Sequence, residues 1–355
     1  MWFIVISILL LFASILPYMP LTHWFYRFFE FGKIQILILQ ITTLIFSFIL
    51  IDEYDILIRI LQLLTLISIT GHLATLYKYT SFHKSIQKEP CDISSEIITV
   101  LSANVFQENK EYEQFIALIN KYNPDIFLTM ESDKNWEKAL SVLDHKYKYN
   151  IKVALDNTYG MHLYSKLKIT NQSIHYFVAD DLPSIEAKIR TADNFEFTFF
   201  AVHPPPPSPT EEENSKERDG ELLSIAKKIK QNADTCVVVG DFNNVAWAKS
   251  SILFRKTSKT IDGRIGRGFI SSFHTKYWFL RFPIDLMFHT SDVFIDELKS
   301  LEHFGSDHFP IYAKFFINKK TSEQEHLTEN LEEGEHEIVQ EIITEGINEK
   351  SDNRN

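Results

Sequence analysis

The chain has 355 residues, 45% of them apolar, and a formal net charge of -11, which allows one large domain with extensions or two domains around a sizeable core. Residues 319–355 carry 4 Lys+Arg against 11 Asp+Glu, which leaves the rest of the chain with 32 basic and 36 acidic residues. This balance excludes a protein that coats nucleic acid non-specifically, since such binders need basic surface to displace counterions; a nuclease with local charge stays open.

Residues 1–22 contain no Asp, Glu, Lys or Arg. Residues 34–51 form a second uncharged run of 18, and residues 60–77, preceded by Arg59, a third of the same length. Spanning the hydrocarbon core takes roughly 20 apolar residues, so these runs predict about three transmembrane helices within a membrane region 1–78. A cleaved signal peptide is the alternative for the first run, but it lacks a basic start and two further runs follow it. The first connector holds Arg27, with Lys33 at the next boundary; the second is acidic, with Asp52, Glu53 and Asp55; and Lys78, Lys84 and Lys88 follow the third run. With positive charge inside, the expectation is a multi-pass cell-membrane protein whose large domain faces the cytoplasm, against the vote of Arg59. The lipid bilayer is then its first partner.

Residues 79–95 read as a polar linker. From Glu96 the pattern is short apolar strands alternating with loops and a few helices. Strands are predicted at 97–105, 125–131, 161–165, 185–190, 195–202, 235–240, 284–288 and 310–316, and helices at 112–122 and 217–230. Such alternation predicts an α/β sandwich over residues 96–318. Cys236, within Thr235-Cys236-Val237-Val238-Val239, reads as a buried free thiol, and with Cys91 as the only other cysteine no disulfide framework is expected. The tail 319–355 is Glu-rich, lacks aromatic residues and is expected to be disordered, with room for a short helix around 338–343.

Several predicted strands end in a residue able to bind a hard cation or move a proton: Asn104, Glu131, His203, Asp241 and Asn243. Asp285 opens a later strand, and Asp307-His308 precede the last. One such residue is most often a turn or helix cap. Strand ends converge on one sheet edge, so this many can share a cleft. Carboxylate and amide oxygens suit Mg²⁺ or Mn²⁺ better than Zn²⁺. Phosphodiester hydrolysis needs such a cation, a group that activates water, and donors for the pentacovalent state.

These motifs resemble the endonuclease/exonuclease/phosphatase superfamily, over residues 96–316 and in its order. Leu101-Ser102-Ala103-Asn104-Val105 matches its first strand, and Pro124-Asp125-Ile126-Phe127-Leu128-Thr129-Met130-Glu131 the segment ending in its metal-binding Glu. His203 matches the His closing a later strand, Gly240-Asp241-Phe242-Asn243 the Gly-Asp-Phe-Asn motif, Pro283-Ile284-Asp285 the Asp that pairs with the catalytic His, and Ser306-Asp307-His308-Phe309-Pro310 the closing motif. The resemblance implies a four-layer α/β sandwich of the deoxyribonuclease I type. It assigns Asn104, Glu131 and Asp307 to the metal, and His203, Asp241, Asn243, Asp285 and His308 to catalysis. In relatives a His usually follows Ile-Asp; here Leu286 does, which puts a substrate-edge contact in doubt. A narrower resemblance is to membrane-anchored bacterial members. His203-Pro204-Pro205-Pro206-Pro207, Arg218 and Arg264-Ile265-Gly266-Arg267-Gly268 fit that branch, with Arg218, Arg264 and Arg267 as phosphate contacts or, alternatively, solvated surface arginines. His274, His289 and His303 carry no motif and read as structural or surface residues. The implied function is a membrane-anchored, Mg²⁺- or Mn²⁺-dependent phosphoester hydrolase. A nuclease-type phosphodiesterase leads. A phosphatase or phospholipase acting on a lipid headgroup or soluble phosphate ester comes second, and an inactive binding module third.

Overall fold

A computed structural model describes residues 2–51, 55–83, 96–318 and 323–349. Lys84 and Lys88, and most of the expected linker, lie outside the described residues.

The N-terminal region forms helices α1 (Trp2–Ile15), α2 (Trp24–Phe31), α3 (Lys33–Leu50) and α4 (Ile56–Tyr77). Among the described residues, α3 and α4 alone are long and apolar enough to cross a membrane, by length and composition. The first run departs from the expectation of a third span. Its helix α1 has 14 residues, about 21 Å at 1.5 Å per residue, and Pro17 ends it in a short 3-10 turn at Leu16–Tyr18. The bundle buries an apolar cluster of Phe3, Ile58 and Leu61 together with polar side chains. Its interior holds polar side chains: Gln40 Nε2 donates to Ser14 Oγ and Ser68 Oγ, both at 2.9 Å, and Gln62 Nε2 donates to Ser47 Oγ at 2.9 Å. Its outer faces expose Leu9, Phe12, Leu39, Phe46, Phe48, Leu63 and Ile67.

The remainder is a pair of six-stranded sheets packed face to face. The first runs β11 (Val293–Ser300), β12 (Ile311–Ile317), β1 (Ile98–Asn104), β2 (Ile126–Met130), β4 (Met161–Ser165), β3 (Tyr149–Val153). The second runs β5 (Lys168–His175), β6 (Ser184–Arg190), β7 (Glu196–Val202), β8 (Cys236–Asp241), β10 (Asp285–His289), β9 (Ile261–Asp262). Strand alternation builds the layers. Val100, Leu128, Phe197, Val237 and Val239 face the inter-sheet core. Leu101, Ala103 and Phe127 turn outward onto helices α5 (Tyr112–Tyr122) and α6 (Lys134–Leu140), meeting Phe115 and Trp136. Phe200, Cys236 and Val238 turn the other way, onto α7 (Lys216–Asn232) and α8 (Lys249–Ser258). The expected two-sheet, deoxyribonuclease I-like α/β fold is therefore present. Cys236 is buried and free, as its apolar run suggested.

The tail is where expectation and structure part. Residues 335–348 form helix α9 (Glu335–Asn348) against α7, with Val339 and Ile343 buried. The two helices touch where a Cβ on Gly220 or Gly346 would come within 2.9 Å of the other's Cα. The acidic tail meets bases on α7 and α8: Lys256 bonds Glu332 and Glu335, Arg255 bonds Glu329, and Lys216 bonds Glu349. Charge pairing supplies the order that composition alone left out.

Candidate active site

Register brings the predicted residues together. β1 and β2 run parallel with Asn104 opposite Met130, so Glu131 emerges beside Asn104. β7 and β8 run parallel with Val202 opposite Gly240, which sets His203 next to Asp241. Gly240 has φ 155°, and a Cβ there would lie 1.9 Å from the Val202 carbonyl oxygen, so only glycine lets the two strand ends approach. β10 is antiparallel to β8 with Asp285 opposite Asp241. Two site residues, Glu131 (φ 59°) and Asn243 (φ 47°), hold left-handed backbone that non-glycine residues rarely adopt, a strain often stored at functional sites.

Asp285 Oδ2 lies 2.7 Å from His308 Nδ1, and the other ring nitrogen, Nε2, lies 3.6 Å from Asp241 Oδ2. Asp241 is held from two sides: Asn243 N donates to its Oδ1 at 2.8 Å, and Asn104 Nδ2 to its Oδ2 at 3.2 Å. Asn104 Nδ2 also reaches Glu131 Oε1 at 2.8 Å, and Gln107 N reaches Glu131 Oε2 at 3.2 Å. His203 Nε2 is 3.9 Å from Asp241 Oδ2. Asn243 Nδ2 donates to Pro204 O at 2.9 Å, tying the Gly-Asp-Phe-Asn turn to the proline run. Ser306 Oγ donates to Asn104 O at 2.8 Å and accepts from His308 N at 3.0 Å, so the closing motif is pinned to the end of β1.

Burial sets the protonation of the site. It works against a charged His308 ring, but the Asp285 and Asp241 carboxylates outweigh it and raise the ring to about 10. His203, buried with less compensation from Asp241, drops to about 4 and is neutral at neutral pH. Burial lifts Glu131 to about 7 despite the Asn104 hydrogen bond. Burial, then the neighbouring Asp285 charge, raises Asp241.

These groups line a cavity of about 440 Å³ with Asn104, Glu131, His203, Asp241, Asn243, Asp307 and His308 on its floor. Among the described residues, no Lys or Arg lines it, whereas Glu131, Glu211, Asp241 and Asp307 do. An anionic phosphoester meets repulsion there unless a cation intervenes. The donor set, carboxylate and amide oxygens in one pocket, fits a hard divalent ion. Asn104, Glu131 and Asp307 are the residues that would hold it. Asp241, Asp285 and His308 also cluster closely enough to suggest a metal site. There, however, His308 Nδ1 is already committed to Asp285, and the trio reads better as a proton-handling chain.

The three arginines are placed differently from the expectation of phosphate contacts. Arg218 is buried, bonding Asp219 and donating to the Asn243 carbonyl at 3.1 Å. Arg264 pairs with Asp262 and donates to Pro283 O at 3.0 Å; Arg267 donates to Gly263 O and Ile295 O. All three are spent inside the protein: Arg218 and Arg264 pair with Asp219 and Asp262 and brace the backbone next to Asn243 and Asp285, while Arg267 bonds Gly263 O and Ile295 O. Leu286 likewise points away from the site into the core, because strand alternation turns it opposite to Asp285. His289 is buried with Nδ1 2.9 Å from Thr290 O, and His303 is exposed.

Sequence reasoning missed two contributors. Tyr159 packs its ring 5.6 Å from His203. Trp24, Phe28 and Phe31 of α2 line the cavity mouth. Their i, i+4, i+7 spacing puts all three on one helical face, a signal the sequence carries between the first two apolar runs.

A family model described as the endonuclease/exonuclease/phosphatase family matches residues 101–308, from the strand before Asn104 to His308 itself. The chain belongs to this family. No curated protein matches the sequence. Among solved structures, an endonuclease/exonuclease/phosphatase family protein from Bacteroides thetaiotaomicron is similar at 17% identity and TM-score 0.54, covering 65% of this chain and 98% of its own. D. rerio TDP2 complexed with a single-stranded DNA product is similar at 18% identity and TM-score 0.53, covering 62% and 99%. A B. thetaiotaomicron mannosyl-6-phosphatase is similar at 17% identity and TM-score 0.50, covering 61% and 99%. At these identities the likeness speaks to the fold. Family membership makes the chain a hydrolase of phosphoesters.

Proposed function

We propose that this protein is a membrane-held phosphoester hydrolase that works with a bound divalent cation, Mg²⁺ or Mn²⁺. The observation that carries the reading is the chain Asp285–His308–Asp241, whose His308 and Asp241 line one cavity with Asn104, Glu131, His203 and Asn243. When bound, the metal supplies positive charge that neutralises the phosphoryl oxygens. Asp241, fixed by Asn243 N and Asn104 Nδ2, orients the attacking water and takes its proton. The water oxygen forms the new bond to phosphorus, and the ester oxygen leaves with the electron pair of the broken P–O bond and takes its proton from solvent water. Asp285 accepts from His308 Nδ1 and so leaves Nε2 as the working nitrogen, a donor to a phosphoryl oxygen. His203 and Asn243 Nδ2 stand on the same floor as donors to the pentacovalent state. The phosphoester chemistry named for the similar structures agrees with this reading.

The membrane part of the proposal rests on the two long apolar helices α3 and α4 and on the faces of the N-terminal bundle. Interior glutamine–serine hydrogen bonds with apolar outer faces suit helices surrounded by lipid. The expected test uses protein purified in detergent with bis(para-nitrophenyl) phosphate. EDTA abolishes turnover and Mg²⁺ or Mn²⁺ restores it; turnover that survives EDTA would overturn the metal-assisted reading.

A further inference from the structure

The aromatic wall of the cavity belongs to no catalytic step. It starts at the catalytic ring: Phe273 lies 4.9 Å from His308, ring to ring. Phe273 bridges by backbone to Phe282, and Phe282 meets Phe31 of α2 edge-on at 5.8 Å. Phe28, 55% exposed, and Trp24 carry the surface outward along the same helix. An unbroken apolar track therefore leads from His308 to a helix that sits between the apolar α1 and α3.

The rim continues it. Tyr277, Trp278, Phe279 and Leu280 are four consecutive exposed apolar residues, with Trp278 at 79%. Gln35, in the first turn of α3, donates to Phe279 O at 3.0 Å and holds this loop beside the start of an apolar helix. Exposed Trp and Tyr at such a level match the membrane–water interface. The charge of the cavity narrows the occupant. A nucleic-acid strand carries a row of phosphates and is gripped by Lys and Arg, of which the cavity wall has none. A molecule with one phosphoester and an apolar body meets both halves of the site.

We infer that the Trp24–Phe28–Phe31 face of α2, with Phe273 and Phe282, binds the apolar part of an amphiphilic phosphoester drawn from the bilayer. The inference rests on the membrane-held hydrolase reading above and names the substrate class of that same site. The nuclease-type activity expected first from the sequence is then the less fitting one.

The test uses the full chain in detergent with Mg²⁺ and a series of para-nitrophenyl alkyl phosphates, from ethyl to hexyl. Water attacks phosphorus, the aryl ester bond breaks, and para-nitrophenolate leaves with alkyl phosphate as the second product. A fully buried methylene is worth up to about four-fold, so kcat/KM is expected to rise about tenfold or more from ethyl to hexyl. Phe28→Ser collapses the hexyl-to-ethyl ratio, whereas Phe28→Leu keeps most of it; the ratio cancels any loss of folded protein. Equal rates along the series, or a ratio that Phe28→Ser leaves intact, overturns the inference while the hydrolase reading stands. No release from any ester, with Mg²⁺ or Mn²⁺, overturns the hydrolase reading itself. Faster cleavage of a single-stranded oligonucleotide than of the hexyl ester, lowered by Phe28→Ser, reassigns the wall to base stacking and overturns the lipid inference.

Discussion

Asp285 Oδ2 accepts from His308 Nδ1 at 2.7 Å, and the same Asp285 pairs in register with Asp241 across β8 and β10. One backbone ladder thus fixes both the partner of the histidine and the carboxylate that faces it.

Replacing that partner tests the arrangement. Asp285→Asn keeps the shape but cannot hold the His308 tautomer or its charge. Hydrolysis of bis(para-nitrophenyl) phosphate is expected to fall about 10²–10⁴-fold in kcat/KM, the range of a lost acid–base function. A rate within error of the wild type would show that His308 works without it.

Arg218 separates a structural role from a substrate contact. It is 1% exposed, ion-paired with Asp219 and bonded to the Asn243 carbonyl. Arg218→Gln is expected to destabilise the fold by about 3–5 kcal/mol, because it strands a buried carboxylate. Denaturant unfolding reads this. A variant of unchanged stability with only a raised KM would restore the phosphate-contact reading.

Glu221 gives a pH signature outside the candidate site. It is buried, hydrogen-bonded by Ser184 Oγ at 2.7 Å, and burial raises it from 4.5 to about 8. The folded state therefore keeps a proton that the unfolded state releases above 4.5. The associated stability is fully present below 4.5 and lost as pH rises through about 8. Glu221→Gln removes this titration, so its melting temperature should exceed the wild type's by about 2–4 °C per kcal/mol recovered above pH 8, with a smaller difference at acid pH. A difference independent of pH would contradict the assignment.

The docked tail makes a fourth expectation. Ile343 is 7% exposed, packed on the core that α7 and α8 share with β8. Ile343→Ala should cost about 2–4 kcal/mol of unfolding free energy. No loss would return the tail to the disordered state its composition suggests.

Much of the candidate site was legible because several motifs end strands, and strand ends of parallel neighbours meet: Asn104 with Glu131, His203 with Asp241. The paired sheets were legible for the same reason, through short apolar runs. What stayed hidden depends on partners distant in sequence. Arg218 and Arg264 look solvated until the Asn243 and Pro283 carbonyls fold against them. The Glu-rich tail looks disordered until Arg255 and Lys256 lie beneath it. One miss is local instead: Pro17, within the first apolar run, stops its helix.

The most direct test of the central claim is Mg²⁺-dependent hydrolysis of bis(para-nitrophenyl) phosphate by Asp241→Ala and His308→Ala, each checked for folding by its melting transition. Both variants should fold and lose turnover to the background of the uncatalysed reaction. Full activity in either, with Mg²⁺ present, would contradict a site built on Asp241 and His308.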